Sequence, residues 1–346
     1  MNRLSLIICT YKRAEPLCRL LETVKAQSRF PDEILIIDGS PDDDTETALK
    51  QINLKLKYHK VLPEQRGLTK QRNIGIGLCD KKTDIVAFLD DDILLDEKYF
   101  EELINTYQIY PEAVGVGGYI VSSLPIVIGT KGGFQKDGLW FKDENGKSNT
   151  KHFCFDGYCR AESSRYKIRA FLGLTPDRPP AHLPKFSHGR SVGFLPPSGK
   201  IYEVEQFMGG VSSYRKSVFD EIQFSTYFEG YGLYEDADFC FRLRKLGKLY
   251  VNTSAQCEHH HHPSGRPNQF LYGQMVVKNG WYVWRQRWPN PGFKNIFKWH
   301  CTTLLLAFLR FLNTFTTSQR KQALTESFGR FWAWLKLWFV KPKIER

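Results

Sequence analysis

Short apolar runs alternate with segments of helical periodicity along the first third of the chain. The runs at residues 4–9 and 33–38 contain almost only Leu, Ile and Cys, which is typical of strands buried on both faces. The predicted strands are residues 4–9, 33–38, 56–62, 84–89 and 113–121, and the predicted helices are residues 16–27, 44–51, 68–79 and 97–107. This alternation predicts an α/β fold with a Rossmann-like, mostly parallel sheet and helices on both faces. Such sheets bind ligands at the carboxyl ends of their strands.

The regular pattern is interrupted after residue 121. Residues 122–205 are rich in Gly, Pro and aromatic residues, and we expect them to form an insertion of loops and short elements with a helix near residues 163–171. Order returns near residue 207, where the pattern predicts further elements. These are helices at residues 215–222 and 236–246 and a strand at residues 249–252.

The composition changes beyond residue 266, because seven of the eight Trp residues lie in that stretch. We therefore expect one α/β domain over residues 1–266, including the insertion, and a helical C-terminal region over residues 267–346. A chain of 346 residues has room for such a domain and an additional region.

Three adjacent carboxylates, Asp90, Asp91 and Asp92, follow the apolar strand that ends near Leu89. Adjacent carboxylates repel one another, so the segment is costly unless a cation is bound. Mg²⁺ or Mn²⁺ prefers oxygen ligands and can hold a diphosphate at the same time. Asp90 and Asp92 point the same way in an extended segment. A solvated acidic turn is the alternative, and the fully apolar strand before it makes that alternative less favoured.

Polar residues also end the first two predicted strands. Asp38 is placed to accept hydrogen bonds from ribose hydroxyls or from a base, although a plain turn is the favoured explanation of this residue taken alone. Thr10 is a weaker signal of the same kind. Arg66 and Arg72 flank the start of a helix and are either phosphate ligands or surface charge. The chain has neither GxGxxG nor GxxxxGK[ST], so dehydrogenase and P-loop chemistry are not supported.

Two further acidic residues, Glu235 and Asp236, open a predicted helix after the flexible sequence Gly-Tyr-Gly. Acidic residues stabilise the start of a helix, so capping is one explanation. A carboxylate that the loop brings to an acceptor hydroxyl is also suited to act as a general base. The run His259–His262 is either a zinc site, which no Cys pair supports, or the source of one further ligand beside Asp92.

Six short segments, taken together and in order, resemble the inverting family 2 glycosyltransferases of GT-A fold. The resemblance covers roughly residues 3–266. The segments are SLIICTYKR at residues 5–13, IDGS at residues 37–40, GLTKQRN at residues 67–73, FLDDD at residues 88–92, GGVSSYR at residues 209–215 and EDAD at residues 235–238.

The resemblance implies roles for the matched positions. Asp92 would bind the metal as part of the DxD motif, with Mn²⁺ or Mg²⁺ as the cofactor. Asp236, beside Glu235, would be the catalytic base. Residues implied in binding the nucleotide sugar are Thr10, Tyr11, Arg13, Asp38, Arg72, Asp90, Asp91, Gly209 and Gly210. In the family, a metal-binding His often lies seven residues before an Arg. Pro263 and Arg266 match that pattern, which selects His259 as the metal ligand, with His260 or His261 as alternatives.

The implied reaction is a single displacement with inversion at the anomeric carbon of the donor. The donor would be a nucleotide-diphosphate sugar, with UDP- and GDP-sugars favoured. The acceptor would be a hydroxyl of a glycan or a lipid-linked molecule, in the synthesis of a cell-surface polysaccharide or glycolipid. The alternative is a GT-A-like module that binds a nucleotide or glycan without turnover. A sugar-nucleotide pyrophosphorylase is disfavoured, because no Gly-rich basic loop follows the first strand.

The net charge of +12 is concentrated near the end of the chain. Residues 278–346 contain thirteen Lys and Arg residues and two acidic residues. Two apolar stripes recur there at helical spacing, formed by Leu305, Phe308, Leu309 and Leu312 and by Phe328, Phe331, Trp332, Leu335, Trp338 and Phe339. Basic, Trp-rich amphipathic helices are typical of interfaces with anionic lipids. Packing on the first domain or on a second subunit is the alternative, and nucleic-acid binding would leave the acidic clusters unexplained.

The eight Cys residues are scattered without a CxxC pair, and the N-terminus leads directly into a predicted strand. We therefore expect reduced cysteines and a cytoplasmic protein, bound peripherally to the inner face of the membrane. No run of about 18 apolar residues predicts a spanning helix.

Overall fold

The strands of the protein form one large sheet and one small sheet. The structure, a computed structural model, describes residues 2–121, 140–260 and 268–345. The strands are Leu4–Thr10 (β1), Glu33–Asp38 (β2), Lys57–Lys60 (β3), Ile85–Asp90 (β4), Ile93–Leu95 (β5), Ala113–Ile120 (β6), Trp140–Lys142 (β7), His152–Phe155 (β8), Tyr158–Ala161 (β9), Ile201–Val204 (β10), Val211–Arg215 (β11) and Lys248–His259 (β12).

The helices alternate with the strands in the first part of the chain and dominate its last part. They are Ala14–Lys25 (α1), Asp44–Leu49 (α2), Leu68–Leu78 (α3), Tyr99–Ile109 (α4), Ser164–Phe171 (α5), Glu235–Leu243 (α6), Gln269–Arg287 (α7), Phe293–Leu312 (α8) and Arg320–Lys336 (α9). Among the described residues, none of these helices is long and apolar enough to span a membrane.

The chain divides into two compact units. One contains Met1–Val121 and Ser198–Arg266, and the other contains Ser122–Pro197 and Pro267–Arg346. The sequence-based boundaries assign all of residues 122–205 to the first domain, whereas the described residues 140–197 cluster with the C-terminal helices and residues 198–205 with the first unit.

The large sheet of the first unit has the strand order β10-β12-β6-β11-β4-β1-β2-β3, with β5 paired to β12. Strands β3, β2, β1 and β4 are parallel to one another, whereas β11 runs antiparallel between β4 and β6. Buried Leu and Ile residues of β1 and β2 pack with α1, because both faces of these strands are apolar. The mixed α/β architecture with a mostly parallel sheet confirms the predicted fold class.

Register brings the polar strand ends together at one edge of the sheet. Thr10 lies opposite Asp38 in the β1–β2 pair, and Cys9 lies opposite Asp90 in the β1–β4 pair. Strand β12 ends at His259, which pairs with Ile93 of β5 directly after the acidic residues.

One sequence-based prediction is wrong in the later part of this unit, and another is confirmed with longer bounds. The helix predicted at residues 215–222 is instead the end of β11 followed by a 3₁₀ turn at Lys216–Asp220. The strand predicted at residues 249–252 extends over Lys248–His259, with an irregularity in its pairing between Val251 and Gln256. The polar residues Asn252, Thr253 and Ser254 at that irregularity conceal the continuity of the strand.

The second unit combines a small antiparallel sheet, in the order β7-β9-β8, with α5 and the three C-terminal helices. Cys154 and Cys159 face each other in the β8–β9 pair and form a disulfide, so the expectation of reduced cysteines is wrong for this pair. Trp281, Trp284 and Trp299 pack on one another between α7 and α8.

Candidate active site

The acidic turn after β4 places two carboxylates beside a histidine. Oδ1 of Asp92 lies 3.0 Å from Nε2 of His259, and one side-chain ligand atom each of Asp90, Asp92 and His259 lies within 4.8 Å of the others. Two carboxylate oxygens and an imidazole nitrogen form a donor set that suits Mn²⁺ and, less well, Mg²⁺. Asp92 is buried, and a buried carboxylate requires a charge partner.

Of the two described members of the His run, His259 contacts the acidic turn through its side chain, whereas His260 donates only its backbone N–H to the Asp92 carbonyl (2.9 Å). His260 instead contacts Glu258, with its Nε2 atom 2.8 Å from Oε2. His261, His262, Pro263 and Arg266 lie outside the described residues. Burial lowers the pKa of His259, but the hydrogen bond to Asp92 and the charge of that carboxylate outweigh burial, so the pKa is raised.

Asp91 has a different environment from its two neighbours. Its carboxylate accepts hydrogen bonds from the Thr10 hydroxyl (2.7 Å) and from the Arg13 guanidinium (3.0 Å), and Arg13 also reaches Asp92 (3.2 Å). Burial raises the pKa of Asp91 to about 6, although Arg13 and Thr10 oppose the shift. Asp91 therefore connects the ends of β1 and β4, and Thr10 and Arg13 are engaged with it. Tyr11, between them, is 43% exposed.

Asp38 is fully buried at the end of β2. Its two oxygens accept hydrogen bonds from the Ser40 backbone N–H (2.8 Å) and the Tyr58 hydroxyl (2.9 Å). A carboxylate oxygen has two acceptor positions, so each oxygen retains one for a further donor. The observed contacts are those of the turn, and the nucleoside contact of Asp38 stays a prediction.

Arg72 is buried at the centre of the acidic cluster. Its guanidinium lies 2.6 Å from Oε1 of Glu235 and 3.7 Å from Oδ1 of Asp90, and it contacts the rings of Phe88 and Phe224. Burial lowers the pKa of Arg72, but the two carboxylates outweigh it and the pKa is raised. The pKa of Glu235 is raised, because burial outweighs the opposing charge of Arg72.

Gly209 and Gly210, directly before β11, allow close approach of the backbone to these side chains. A Cβ atom at Gly210 would lie 2.1 Å from Oδ2 of Asp90, and one at Gly209 would lie 2.5 Å from Oε1 of Glu235. A side chain at either position would require the facing carboxylate to move.

Asp236 lies at the start of α6, one residue after Glu235. Its Oδ2 accepts a hydrogen bond from the Gly209 backbone N–H (3.2 Å), and its Oδ1 accepts one from Ala237 (2.7 Å). Burial raises the pKa of Asp236, and these backbone hydrogen bonds partly oppose the shift. A carboxylate with a raised pKa, next to a chain segment without side chains, has the properties of a general base.

The segment that leads into α6 is anchored along α3, which the sequence did not predict. The Asn73 side chain donates to the Phe224 carbonyl (2.9 Å) and accepts from the Phe224 N–H (3.0 Å). Lys70 pairs with Glu229 at 3.0 Å. A polar Asn in the interior of a helix was the only sequence signal for this anchor, and it does not identify a partner.

Comparisons with known proteins find similarity to sugar transferases. Residues 5–165 match the family model described as "Glycosyl transferase family 2". The chain is 32% identical over 124 residues to a glucosyl-dolichyl phosphate glucuronosyltransferase of Haloferax volcanii, covering 34% of this chain and 38% of that protein. It is 29% identical over 144 residues to a poly(ribitol-phosphate) beta-N-acetylglucosaminyltransferase of Staphylococcus aureus, covering 39% and 43%.

The chain therefore spans about two fifths of the length of these two relatives. A solved structure titled "Crystal structure of GalNAc-T7 with UDP, GalNAc and Mn2+" superposes with a TM-score of 0.50 at 15% identity, covering 80% of this chain and 48% of that one. That likeness concerns the fold, which is of the GT-A type. The first half of the chain is thus similar to family 2 glycosyltransferases, and it carries the acidic turn and Arg72 within the matched residues.

Proposed function

We propose that this protein is an inverting, metal-dependent glycosyltransferase that moves a sugar from a nucleotide-diphosphate sugar to a hydroxyl acceptor. The observation that supports it most is the convergence of Asp90, Asp92 and His259 at the carboxyl edge of the sheet. The match to the family 2 model and the relatives, which are named as sugar transferases, support the same class of reaction.

Asp92 and His259, with Asp90 beside them, would hold a divalent cation, Mn²⁺ or Mg²⁺. Their close-set oxygen and nitrogen atoms fit such an ion, and a cation offsets the repulsion between the carboxylates. When bound, the cation neutralises charge on the leaving diphosphate. The structural neighbour was crystallised with Mn²⁺, which supports a divalent cation without identifying it.

Asp236 is proposed as the base that accepts the proton of the acceptor hydroxyl. The hydroxyl oxygen forms a bond to the anomeric carbon, and the bond from that carbon to the diphosphate oxygen breaks on the opposite face. The nucleoside diphosphate leaves with the electron pair, and the configuration inverts. Gly209 and Gly210 allow Glu235 and Asp90 to lie against the backbone beside Asp236, and Glu235 is proposed to act through its contact with Arg72.

The donor is proposed to be a UDP- or GDP-sugar that lies over the ends of β1, β2 and β4. Tyr11, which is partly exposed, and Asp38, with its remaining acceptor positions, would contact the nucleoside. Arg72 contributes positive charge near the diphosphate. Thr10, Arg13 and Asp91 would shape the nucleotide site through their mutual contacts.

The acceptor is proposed to be a glycan or a lipid-linked molecule in the synthesis of a cell-surface polysaccharide or glycolipid. One relative is named for a dolichyl phosphate substrate and the other for a poly(ribitol-phosphate). We also propose that the protein binds peripherally to an anionic membrane at its inner, cytoplasmic face. The basic, aromatic C-terminal region supports this partner.

Calorimetric titration of UDP and of GDP into the purified protein, with and without Mn²⁺, tests the proposal. We expect one nucleotide to bind only with the metal present. The Asp92→Ala variant should lose that binding, whereas Glu97→Gln, which removes an exposed carboxylate a few residues further on, should retain it. A donor-hydrolysis assay with the sugars of the nucleotide that binds then separates an enzyme from a non-catalytic binding module. Metal-independent binding, or none, would contradict the proposal.

A further inference from the structure

Helices α8 and α9 each present an unusually apolar exposed stripe. On α8 and the turn that follows it, Phe293, Phe297, Phe308, Leu312 and Phe315 are exposed. At 3.6 residues per turn, these positions lie within an arc of about 100° of the helix circumference. Phe293 is 84% exposed, so it contributes nothing to the core.

The exposed stripe of α9 has the same character. Phe328, Trp332, Leu335 and Phe339 are exposed and lie within an arc of about 60°. Phe339, just beyond the helix, is 87% exposed. The two helices pack on each other, since the ring of His300 stacks on Trp338 at 4.8 Å and Arg310 contacts Glu326 at 2.7 Å. The stripes therefore belong to one helical pair.

The end of α5 adds two further apolar side chains near α8. The Lys298 ammonium donates to the Gly173 carbonyl (3.2 Å), which brings the end of α5 beside the first turns of α8. Phe171 is 89% exposed there, and Leu172 is half exposed. No pattern in the sequence predicts that this part of the insertion belongs to the same surface.

Charge on this helical pair has one sign at the surface. Helix α8 contains no acidic residue, and the only one in α9, Glu326, is buried between Arg310 and Arg330. Exposed Lys294, Lys321 and Lys336 border the apolar stripes. A surface that is apolar in its centre and cationic at its border is complementary to a bilayer that contains anionic lipids.

We propose that this surface, formed by the two stripes and the end of α5, inserts into the headgroup region of an anionic bilayer. We call it the lipid-facing surface. The inference rests on the proposed membrane association and assigns it to particular residues. Trp332, with the Lys336 ammonium over its ring at 5.1 Å, is of the amphipathic kind that occupies membrane–water interfaces.

Flotation of the full chain with vesicles tests the assignment. The wild-type protein should float with phosphatidylcholine vesicles that contain phosphatidylglycerol, and much less with phosphatidylcholine alone. The Phe293→Ser/Phe339→Ser variant should reduce the partition coefficient about ten-fold or more, because it removes two aromatic rings that would move from water into the bilayer. The Lys294→Glu/Lys321→Glu variant should lose the preference for anionic vesicles. All four side chains are exposed, so these variants are expected to fold.

The matched control is Ile109→Ser/Leu246→Ser, which removes two exposed apolar side chains from the first unit and should leave flotation unchanged. Failure of the wild type to float would overturn the membrane association itself. Equal flotation of the wild type and the two surface variants would overturn only the assignment to this surface. A vesicle-free dimer that these variants dissociate would instead identify the surface as an interface between two copies. Nucleotide titration of the same variants reports on the transferase site separately.

Discussion

The guanidinium of Arg72 lies 2.6 Å from Oε1 of Glu235, and both side chains are almost completely buried. The pair connects α3 to the first residue of α6, and Arg72 also reaches Asp90 at 3.7 Å. A cation thus holds two of the acidic segments of the site in a fixed relationship. The second oxygen of Glu235 has no hydrogen-bond partner in the described part of the chain, so the Glu235 carboxylate depends on Arg72 for its charge compensation.

The Arg72→Met variant should be strongly destabilised. It leaves the buried Glu235 carboxylate without its partner, which typically costs about 3–5 kcal/mol. Urea unfolding measures the change in the free energy of unfolding. The double variant Arg72→Met/Glu235→Gln should recover part of that loss, because it removes the uncompensated charge. If the losses of the two single variants simply add, the two residues are not coupled as the structure indicates.

Replacement of Gly210 by Ala should impair the metal site more than the fold. The new Cβ atom would lie 2.1 Å from Oδ2 of Asp90, so the carboxylate must move from its position. We expect Mn²⁺-dependent nucleotide binding to weaken about ten-fold or more, since a change in the orientation of a metal ligand typically lowers metal affinity about 10–100-fold. Calorimetric titration measures this affinity.

Gly77→Ala is the matched control for that experiment. Gly77 lies in α3, and no heavy atom lies within 4 Å of a Cβ atom added there. The control should raise stability by roughly 0.5–1 kcal/mol, because Ala favours a helix interior, and should leave nucleotide binding unchanged. Equal nucleotide affinities of the Gly210→Ala and Gly77→Ala variants would show that metal-dependent binding does not require the observed position of Asp90.

His259→Ala should lose most of the nucleotide binding that depends on the metal, whereas His260→Ala should retain this binding. His259 contacts Asp92 at 3.0 Å, but His260 contacts Glu258. Titration of Mn²⁺ into each variant, followed by nucleotide, separates the two. A larger loss of binding in the His260 variant would assign the metal ligand to His260 instead of His259.

Much of the fold could be predicted from the sequence, because it depends on contiguous apolar runs. Strands β1, β2 and β4 consist mainly of Leu, Ile, Val, Ala and Phe, and their predicted bounds lie within one residue of the observed ones. Strand β11 was missed, since its polar residues Ser212 and Ser213 are buried within the sheet and resemble a loop in sequence.

The candidate site was predictable in its residue types but not in its pairings. The acidic turn and Glu235–Asp236 stand out because adjacent carboxylates are costly without a function. The Arg72–Glu235 pair joins residues 163 positions apart, and no local pattern reports such a contact. Similarly, Asp91 was grouped with the substrate-binding residues, whereas the structure shows it engaged with Thr10 and Arg13.

Donor hydrolysis should rise with pH over a range above the ordinary aspartate pKa. Burial raises the pKa of Asp236 from its usual 3.8, so the carboxylate is protonated to a higher pH than an exposed one and becomes available as a base only above its raised pKa. The same shift means that ionisation of Asp236 costs folding free energy as pH rises through that pKa.

A pH–rate profile with a sugar nucleotide that binds measures the acidic limb. Asp236→Asn should abolish turnover at every pH while nucleotide binding persists. An acidic limb centred at or below pH 3.8, or an Asn variant of normal rate, would remove Asp236 from the role of base.

Asn73→Ala should loosen the segment that leads into α6 and thereby slow turnover more than it weakens nucleotide binding. The side chain satisfies both backbone groups of Phe224, and their loss leaves a buried N–H and carbonyl unpaired, at a cost of about 1–3 kcal/mol. Hydrogen exchange of the Phe224–Tyr234 amides measures the loosening. Lys70→Ala is the control, since its partly exposed pair with Glu229 contributes about 0–1 kcal/mol. Faster exchange confined to the Asn73 variant, with a lower rate of donor hydrolysis, is the expected result; unchanged exchange would mean that Asn73 does not hold the segment.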